Sequence, residues 1–211
     1  PISDFIPVSR IADMLLNPGG AYNFNGEQRI YPDIKLVYWC GGNPFHHHQD
    51  LNRLISAWQH PETVIVHEPW WTATAQRADI VFPATTQFER SDLGWAKGDP
   101  YLFFMPQMIQ PVGLSRNDYD IFADLSKKLN CEEKFTHNKS SDEWIRDIYN
   151  KFYIEANSNG IKVPNFETLK EKYFERMPID LDDEEYVPFK NFRDDPVKHS
   201  LGTPSGKIEI Y

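Results

Sequence analysis

Three short stretches hold residues whose types suit ligand chemistry, and each follows an apolar run. Gly41-Gly42-Asn43-Pro44 comes after the run 34–40. Two glycines let backbone approach a ligand closely, and an asparagine amide both donates and accepts. Such a turn suits a pyrophosphate or the polar edge of a heterocycle such as a pterin; it is also what an ordinary strand-to-helix turn looks like. His67-Glu68 ends the run 64–67. An acidic residue there can accept from ribose hydroxyls, or can be a capping or surface carboxylate. Thr85-Thr86-Gln87-Phe88-Glu89-Arg90 follows a third run at 79–82 and offers hydroxyl, amide and guanidinium donors to phosphate oxygens. Asp118 opens a helical pattern. A carboxylate takes two adjacent donors of guanine at once, so Asp118 is either a base reader or a helix N-cap.

Other chemistry is less well supported. His46-His47-His48 are adjacent, adjacent side chains rarely converge on one ion, and no Cys or His stands at ligand spacing from them. No metal site is expected. Cys40 has no base paired with it by any pattern, so it reads as a buried structural thiol. No catalytic residue is assigned. The GxGxxG fingerprint of nicotinamide-binding domains is missing, which disfavours a dehydrogenase.

The elements that must position these residues alternate. Residues 34–40, 64–67 and 79–82 read as strands, the first apolar on both faces and so a buried central strand. Helices fit 8–16, from Asp50 to about 58, and 72–78; residues 21–33 are polar and turn-rich. A further strand fits Tyr101–Met105, and helices fit 118–129, 141–157 and 166–175. Strand–helix alternation implies parallel pairing with right-handed crossovers. The expected fold class is therefore α/β, a doubly wound and mainly parallel sheet of dinucleotide-binding (Rossmann-like) type, over residues 1–160. An irregular, surface-wrapping extension follows over 161–202, with the acidic run Asp180–Glu185 as solvated surface. In an open parallel sheet, ligands bind outside the carboxyl ends of the strands, where Gly41, Gly42, Asn43, His67, Glu68, Arg90 and Asp118 all fall.

Composition excludes some classes. Of 211 residues, 22 are Lys or Arg and 31 Asp or Glu, a formal charge of −9, which argues against a phosphate-backbone surface and hence against nucleic acid as a partner. No apolar run approaches the roughly 20 residues that span a bilayer, so no membrane insertion is expected. Two cysteines cannot make a disulfide framework. The chain starts Pro-Ile-Ser and stops on an alternating Lys207–Tyr211 pattern that reads as a strand cut short, so both ends read as cuts within a longer chain.

The string YWCGGNPFHHHQDLNRL (38–54) resembles the trimethylamine-N-oxide reductase and biotin sulfoxide reductase branch of the dimethyl sulfoxide reductase family. So do ETVIVHEPWWTATA (62–75), ADIVFPATT (78–86), SRNDYD (115–120) and TPSGKIE (203–209). The likeness runs from about residue 5 to the end and is strongest over 31–130. It implies bis(molybdopterin guanine dinucleotide) as cofactor, two-electron oxygen-atom transfer from an N-oxide or S-oxide, and a third, dinucleotide-binding-type domain. By position it implies Gly42 and Asn43 near the pyrophosphate and pterin, His67 and Glu68 on the ribose side, Arg90 at the phosphates and Asp118 at the guanine. The family's molybdenum-ligating serine lies upstream of this stretch, and its last domain would begin at 203–211, so turnover by this piece alone is not expected. The other domains of the parent enzyme and an electron-donating cytochrome are the implied partners, in the periplasm, or in the cytoplasm if the parent is biotin sulfoxide reductase-like. A different reading is a non-catalytic α/β module that binds a free guanine nucleotide or a partner protein.

Overall fold

In a computed structural model, which describes residues 5–96, 99–178 and 187–210, the chain is mixed α/β. In chain order the elements are α1 (Ile11–Leu16), β1 (Ala21–Phe24), β2 (Glu27–Ile30), β3 (Leu36–Cys40), α2 (Pro44–His47), α3 (Leu51–Ala57), β4 (Thr63–Glu68) and β5 (Ile80–Pro83). Then follow β6 (Asp92–Gly94), β7 (Tyr101–Met105), α4 (Asp118–Lys128), α5 (Glu132–Thr136), α6 (Ser141–Ser158), α7 (Phe166–Lys172), β8 (Phe174–Arg176) and α8 (Lys190–Asp194). The acidic run Asp180–Glu185 lies outside the described residues. The described residues fall into two compact units: 5–37, 47–63 and 187–210 form one, and 38–46, 64–96 and 99–178 the other.

In the first unit, α1 packs on α3, and Leu15, Leu54 and Ala57 are buried. Asp50 caps α3 as expected, its Oδ1 accepting from the Arg53 amide at 3.0 Å. The stretch 21–33, read as turn-rich, is a hairpin: β1 and β2 pair antiparallel from Ala21↔Ile30 to Phe24↔Glu27. Asn25 and Gly26 both take positive φ, 49° and 80°, which is the two-residue turn that matches strand twist. Residues 207–210 form no strand. Alternation alone does not make one without a neighbour to pair with, and none stands beside them among the described residues.

The second unit carries the expected parallel core. Its sheet runs β3-β4-β5, with β4 and β5 parallel in the register Ile65↔Ile80 to Glu68↔Pro83. Asp79 ties the two starts together, its Oδ2 accepting from the Val64 amide at 2.8 Å. Val64, Val66 and His67 are buried, so β4 and not β3 is the central strand; β3 is an edge strand and Leu36 is half exposed. Beyond β5 the sheet gains one parallel bridge, Ala84↔Arg116, immediately before α4. The helix expected at 72–78 is a single 3-10 turn, Ala75–Arg77.

Tyr101–Met105 is a strand, but not of this sheet. It is the middle of a separate antiparallel sheet, β6-β7-β8, with Leu93↔Phe104 and Leu102↔Glu175 opposite each other. Its period-2 pattern puts Leu102 and Phe104 inward, where they meet Tyr149 of α6 and Phe166 and Leu169 of α7. α6 starts with a reciprocal capping box between Ser140 and Glu143.

Candidate functional site

An open cleft of about 860 Å³ in the second unit lies at the carboxyl ends of β3, β4 and β5. All seven residues singled out in the sequence line it: Gly41, Gly42, Asn43, His67, Glu68, Arg90 and Asp118.

The turn after β3 is built from glycine. Gly41 and Gly42 have φ of 82° and 72°, a conformation that side chains resist, and a Cβ added at Gly41 would meet nothing within 4 Å. The backbone here is bare and accessible. The Asn43 side-chain oxygen accepts a hydrogen bond from the hydroxyl of Thr74, which is fully buried. That bond leaves the Asn43 NH₂ as the free part of the amide, a donor.

At the end of β4, Glu68 Oε2 accepts from Thr72 Oγ1 at 3.1 Å, and Oε1 meets the Trp70 amide at 3.4 Å. Each oxygen keeps a further lone pair for a ligand hydroxyl. His67, one residue earlier, points to the other face of the strand and is buried. Its Nε2 lies 2.8 Å from the Tyr38 hydroxyl and its Nδ1 2.7 Å from Asp118 Oδ1. Neither ring nitrogen is free for a ribose hydroxyl.

Arg90 donates through Nη1 to the Thr85 carbonyl at 2.9 Å and through Nη2 to Asp92 at 3.2 Å. A guanidinium has five N–H donors, so the remainder stay available to an anion. Asp118 is the first residue of α4, not its N-cap. Asn117 is the cap residue, and its Oδ1 accepts from Thr85 Oγ1 at 2.9 Å instead of capping the helix. The capping role that the sequence left open for Asp118 therefore does not apply.

Glu89 carries more of the site than the sequence suggested. Its Oε2 accepts from the Thr86 amide at 2.7 Å and the Thr86 hydroxyl at 2.8 Å, and its Oε1 from the Val112 amide at 2.6 Å and Ser115 Oγ at 3.1 Å. The Thr86 amide, then the Val112 amide and the Thr86 hydroxyl, hold its carboxyl down at about 2. The residue clasps the loop after β5 to Val112 and Ser115, which line the cleft. The Thr86-x-x-Glu89 spacing of a capping box was the available signal. Cys40 is exposed at the end of β3 rather than buried, yet its thiol is pushed up to about 11, by desolvation first and by the Asp118 charge second. Such a thiol is a poor nucleophile near neutral pH.

Donors at Asn43 and Arg90, acceptors at Glu68 and Asp118, and a side-chain-free turn share one cleft. That set fits an extended ligand with phosphates, a hydroxylated sugar and a donor-bearing heterocycle, and so fits a pterin nucleotide.

A family model for molybdopterin oxidoreductases matches residues 17–128. The chain is 49% identical over its whole length to a biotin sulfoxide reductase of Cereibacter sphaeroides, of which it covers 28%. It is 46% identical over 97% of its length to a trimethylamine-N-oxide reductase of Haemophilus influenzae, and 44% identical over 98% to a dimethyl sulfoxide/trimethylamine N-oxide reductase of Cereibacter sphaeroides. Each of these two is covered over 25% of its own length, so the chain spans about a quarter of the curated relatives it matches. Among solved structures, acetylene hydratase from Pelobacter acetylenicus shares the fold with a TM-score of 0.53 at 20% identity, over 85% of this chain and 22% of that one. A family model that matches more than half of the chain, and relatives this similar along nearly all of it, establish that the chain belongs to the molybdopterin oxidoreductase family.

Proposed function

We propose that this chain is the part of a molybdenum-dependent N-oxide or S-oxide reductase that holds a molybdopterin guanine dinucleotide, one of two in a bis(molybdopterin guanine dinucleotide) cofactor. The observation that carries this reading is the convergence of all seven sequence-selected residues on one cleft at the carboxyl ends of parallel strands. Gly41, Gly42 and the Asn43 amide approach the pyrophosphate and pterin, Glu68 takes ribose hydroxyls, Arg90 faces phosphate, and Asp118 accepts from guanine. His67, with both nitrogens engaged, serves beneath the ligand rather than against it.

When bound, the metal–pterin group would supply two-electron reduction of a trimethylamine N-oxide, dimethyl sulfoxide or biotin sulfoxide type of substrate, by taking the oxygen atom from it. This chain's task is to bind and orient it. The β3-β4-β5 sheet, extended by the Ala84↔Arg116 bridge ahead of α4, supports a doubly wound, Rossmann-like reading of the part that carries the cleft, although the span 1–160 expected as one domain is divided, with 5–37 and 47–63 in the other compact unit. Within 161–202, expected as an irregular wrap, α7 and β8 are instead regular, with Phe166 and Leu169 buried against Leu102 and Phe104, because β8 pairs with β7; 203–211 would open the last cofactor-binding domain. The parent would draw electrons from a cytochrome, in the periplasm or, if biotin sulfoxide reductase-like, in the cytoplasm.

Titrating the isotope-labelled chain with GDP and with ADP tests the reading. GDP is expected to shift the amide resonances of Gly41, Gly42, Glu68 and Asp118 and to leave the β1–β2 hairpin unmoved, with ADP much weaker. Equal responses to both nucleotides, or none in the cleft, would overturn it.

A further inference from the structure

We propose that His67 is a positioning residue, which fixes the Asp118 carboxylate for base recognition and is itself fixed by Tyr38. The three side chains come from three elements, β3, β4 and the first turn of α4, and lie 29 and 51 residues apart in pairs. Tyr38 Oη to His67 Nε2 is 2.8 Å, and His67 Nδ1 to Asp118 Oδ1 is 2.7 Å.

Donor and acceptor bookkeeping orders the chain. A carboxylate only accepts, so Nδ1 carries the proton; in the neutral ring Nε2 is then an acceptor and takes the Tyr38 hydroxyl hydrogen. The direction is Tyr38 to His67 to Asp118. Burial raises the Tyr38 hydroxyl above its ordinary range, so it keeps its proton and the tautomer of His67 stays set. The ring plane is set too. Phe122 stacks on it with centroids 4.9 Å apart and 30° between planes, and Phe82 meets it edge-on at 5.5 Å and 78°.

The exposures divide the labour. The His67 side chain is 1% exposed and that of Asp118 47%. The histidine is a buried mount, and the carboxylate is what faces the cleft. Each carboxylate oxygen has two lone pairs, so with one taken by Nδ1, Oδ1 keeps one and Oδ2 keeps both. That suffices for the two neighbouring N–H donors of a guanine edge. A carboxylate free to rotate would lose orientation entropy on binding; a mounted one does not.

This inference rests on Asp118 reading guanine, and the test separates the two. IDP differs from GDP only in lacking the 2-amino donor. The unmutated chain is expected to favour GDP over IDP by about tenfold, the worth of one well-placed charge-assisted bond. In His67→Asn the side-chain NH₂ stands where Nδ1 was and still donates to Asp118; the preference should survive within about threefold. In His67→Gln the NH₂ stands where Nε2 was, Asp118 loses its donor, and the two nucleotides should bind alike. A second readout needs no ligand: the Nδ1 proton should appear as a slowly exchanging imidazole resonance, and Tyr38→Phe should speed its exchange and lower the GDP-over-IDP ratio.

Four outcomes overturn one reading or the other. No GDP-over-IDP preference in the unmutated chain sinks the guanine reading. A preference kept in full by His67→Gln sinks the positioning role alone, as does equal loss in His67→Asn and His67→Gln, which would mean the ring matters only as packing. If a His67 variant folds poorly, Tyr38→Phe decides, and an unchanged ratio with unchanged proton exchange refutes the mount.

Discussion

Replacing Asp118 by Asn in the full-length parent enzyme separates recognition from architecture. Asn can still offer one oxygen to His67 Nδ1, now 2.7 Å from Oδ1, and its NH₂ then faces the ligand. One acceptor becomes a donor opposite a guanine donor. A hydrogen bond to a charged group is worth about 1.5–3 kcal/mol, and with the Asp118 side chain 47% exposed the lower end applies after solvent screening. About 1.5 kcal/mol corresponds to roughly tenfold weaker cofactor retention. The fold should lose much less. Asn117, not Asp118, holds the cap position, so the substitution removes only a first-turn charge from the helix N-terminus, about 0.3–1 kcal/mol. Molybdenum and guanine content per purified protein would be measured beside the melting temperature. Cofactor content should fall several-fold while melting shifts by only a few degrees. Full occupancy in the variant would refute the reasoning, and so would a loss of cofactor that merely tracks a large loss of stability.

Two further outcomes follow from the titrating groups. Glu89→Gln should lower the urea midpoint near neutral pH, because four donors lose their anionic acceptor. The native carboxyl sits at about 2 against an ordinary 4.5, so its stabilisation is whole above 4.5 and fades as pH falls toward 2; a gap between the variants that stays constant across that window would contradict the clasp. Cys40, pushed up to about 11, should alkylate about a hundredfold more slowly near neutral pH than a free thiol despite its exposure, and Asp118→Asn should speed it; reaction at the rate of free cysteine would disprove the shift.

The parts legible from the sequence were those with local signals. The runs ending at Cys40, His67 and Phe82 are β-rich and stopped by glycine, acid or proline, so the strand ends were visible and the cleft residues with them. Which strand lies in the middle was not visible. The run 34–40 is apolar on both faces, yet sheet order, a non-local property, leaves β3 at the edge. Tyr101–Met105 shows the same limit: its alternation marks a strand, but its partner β8 lies some seventy residues on, and the choice of sheet depends on that pairing. The β1–β2 hairpin was missed: Asn25-Gly26 was the available signal, but strands of four residues with many polar side chains hide their alternation. The His67–Asp118 contact had no signal at all, since no spacing rule links residues 51 apart.

The bond between Thr74 and Asn43 bears on inheritance. A hydroxyl with no exposure to solvent and a turn amide at the cleft depend on each other across 31 residues. Losing the hydroxyl strands the amide oxygen, and an aspartate at 43 keeps the acceptor but trades the free NH₂ for negative charge where phosphate is expected. Neither position can drift alone at low cost. Among lineages that keep the cleft, 43 and 74 should therefore change together or not at all, and a descendant that has lost its ligand would be recognisable by the release of that pairing.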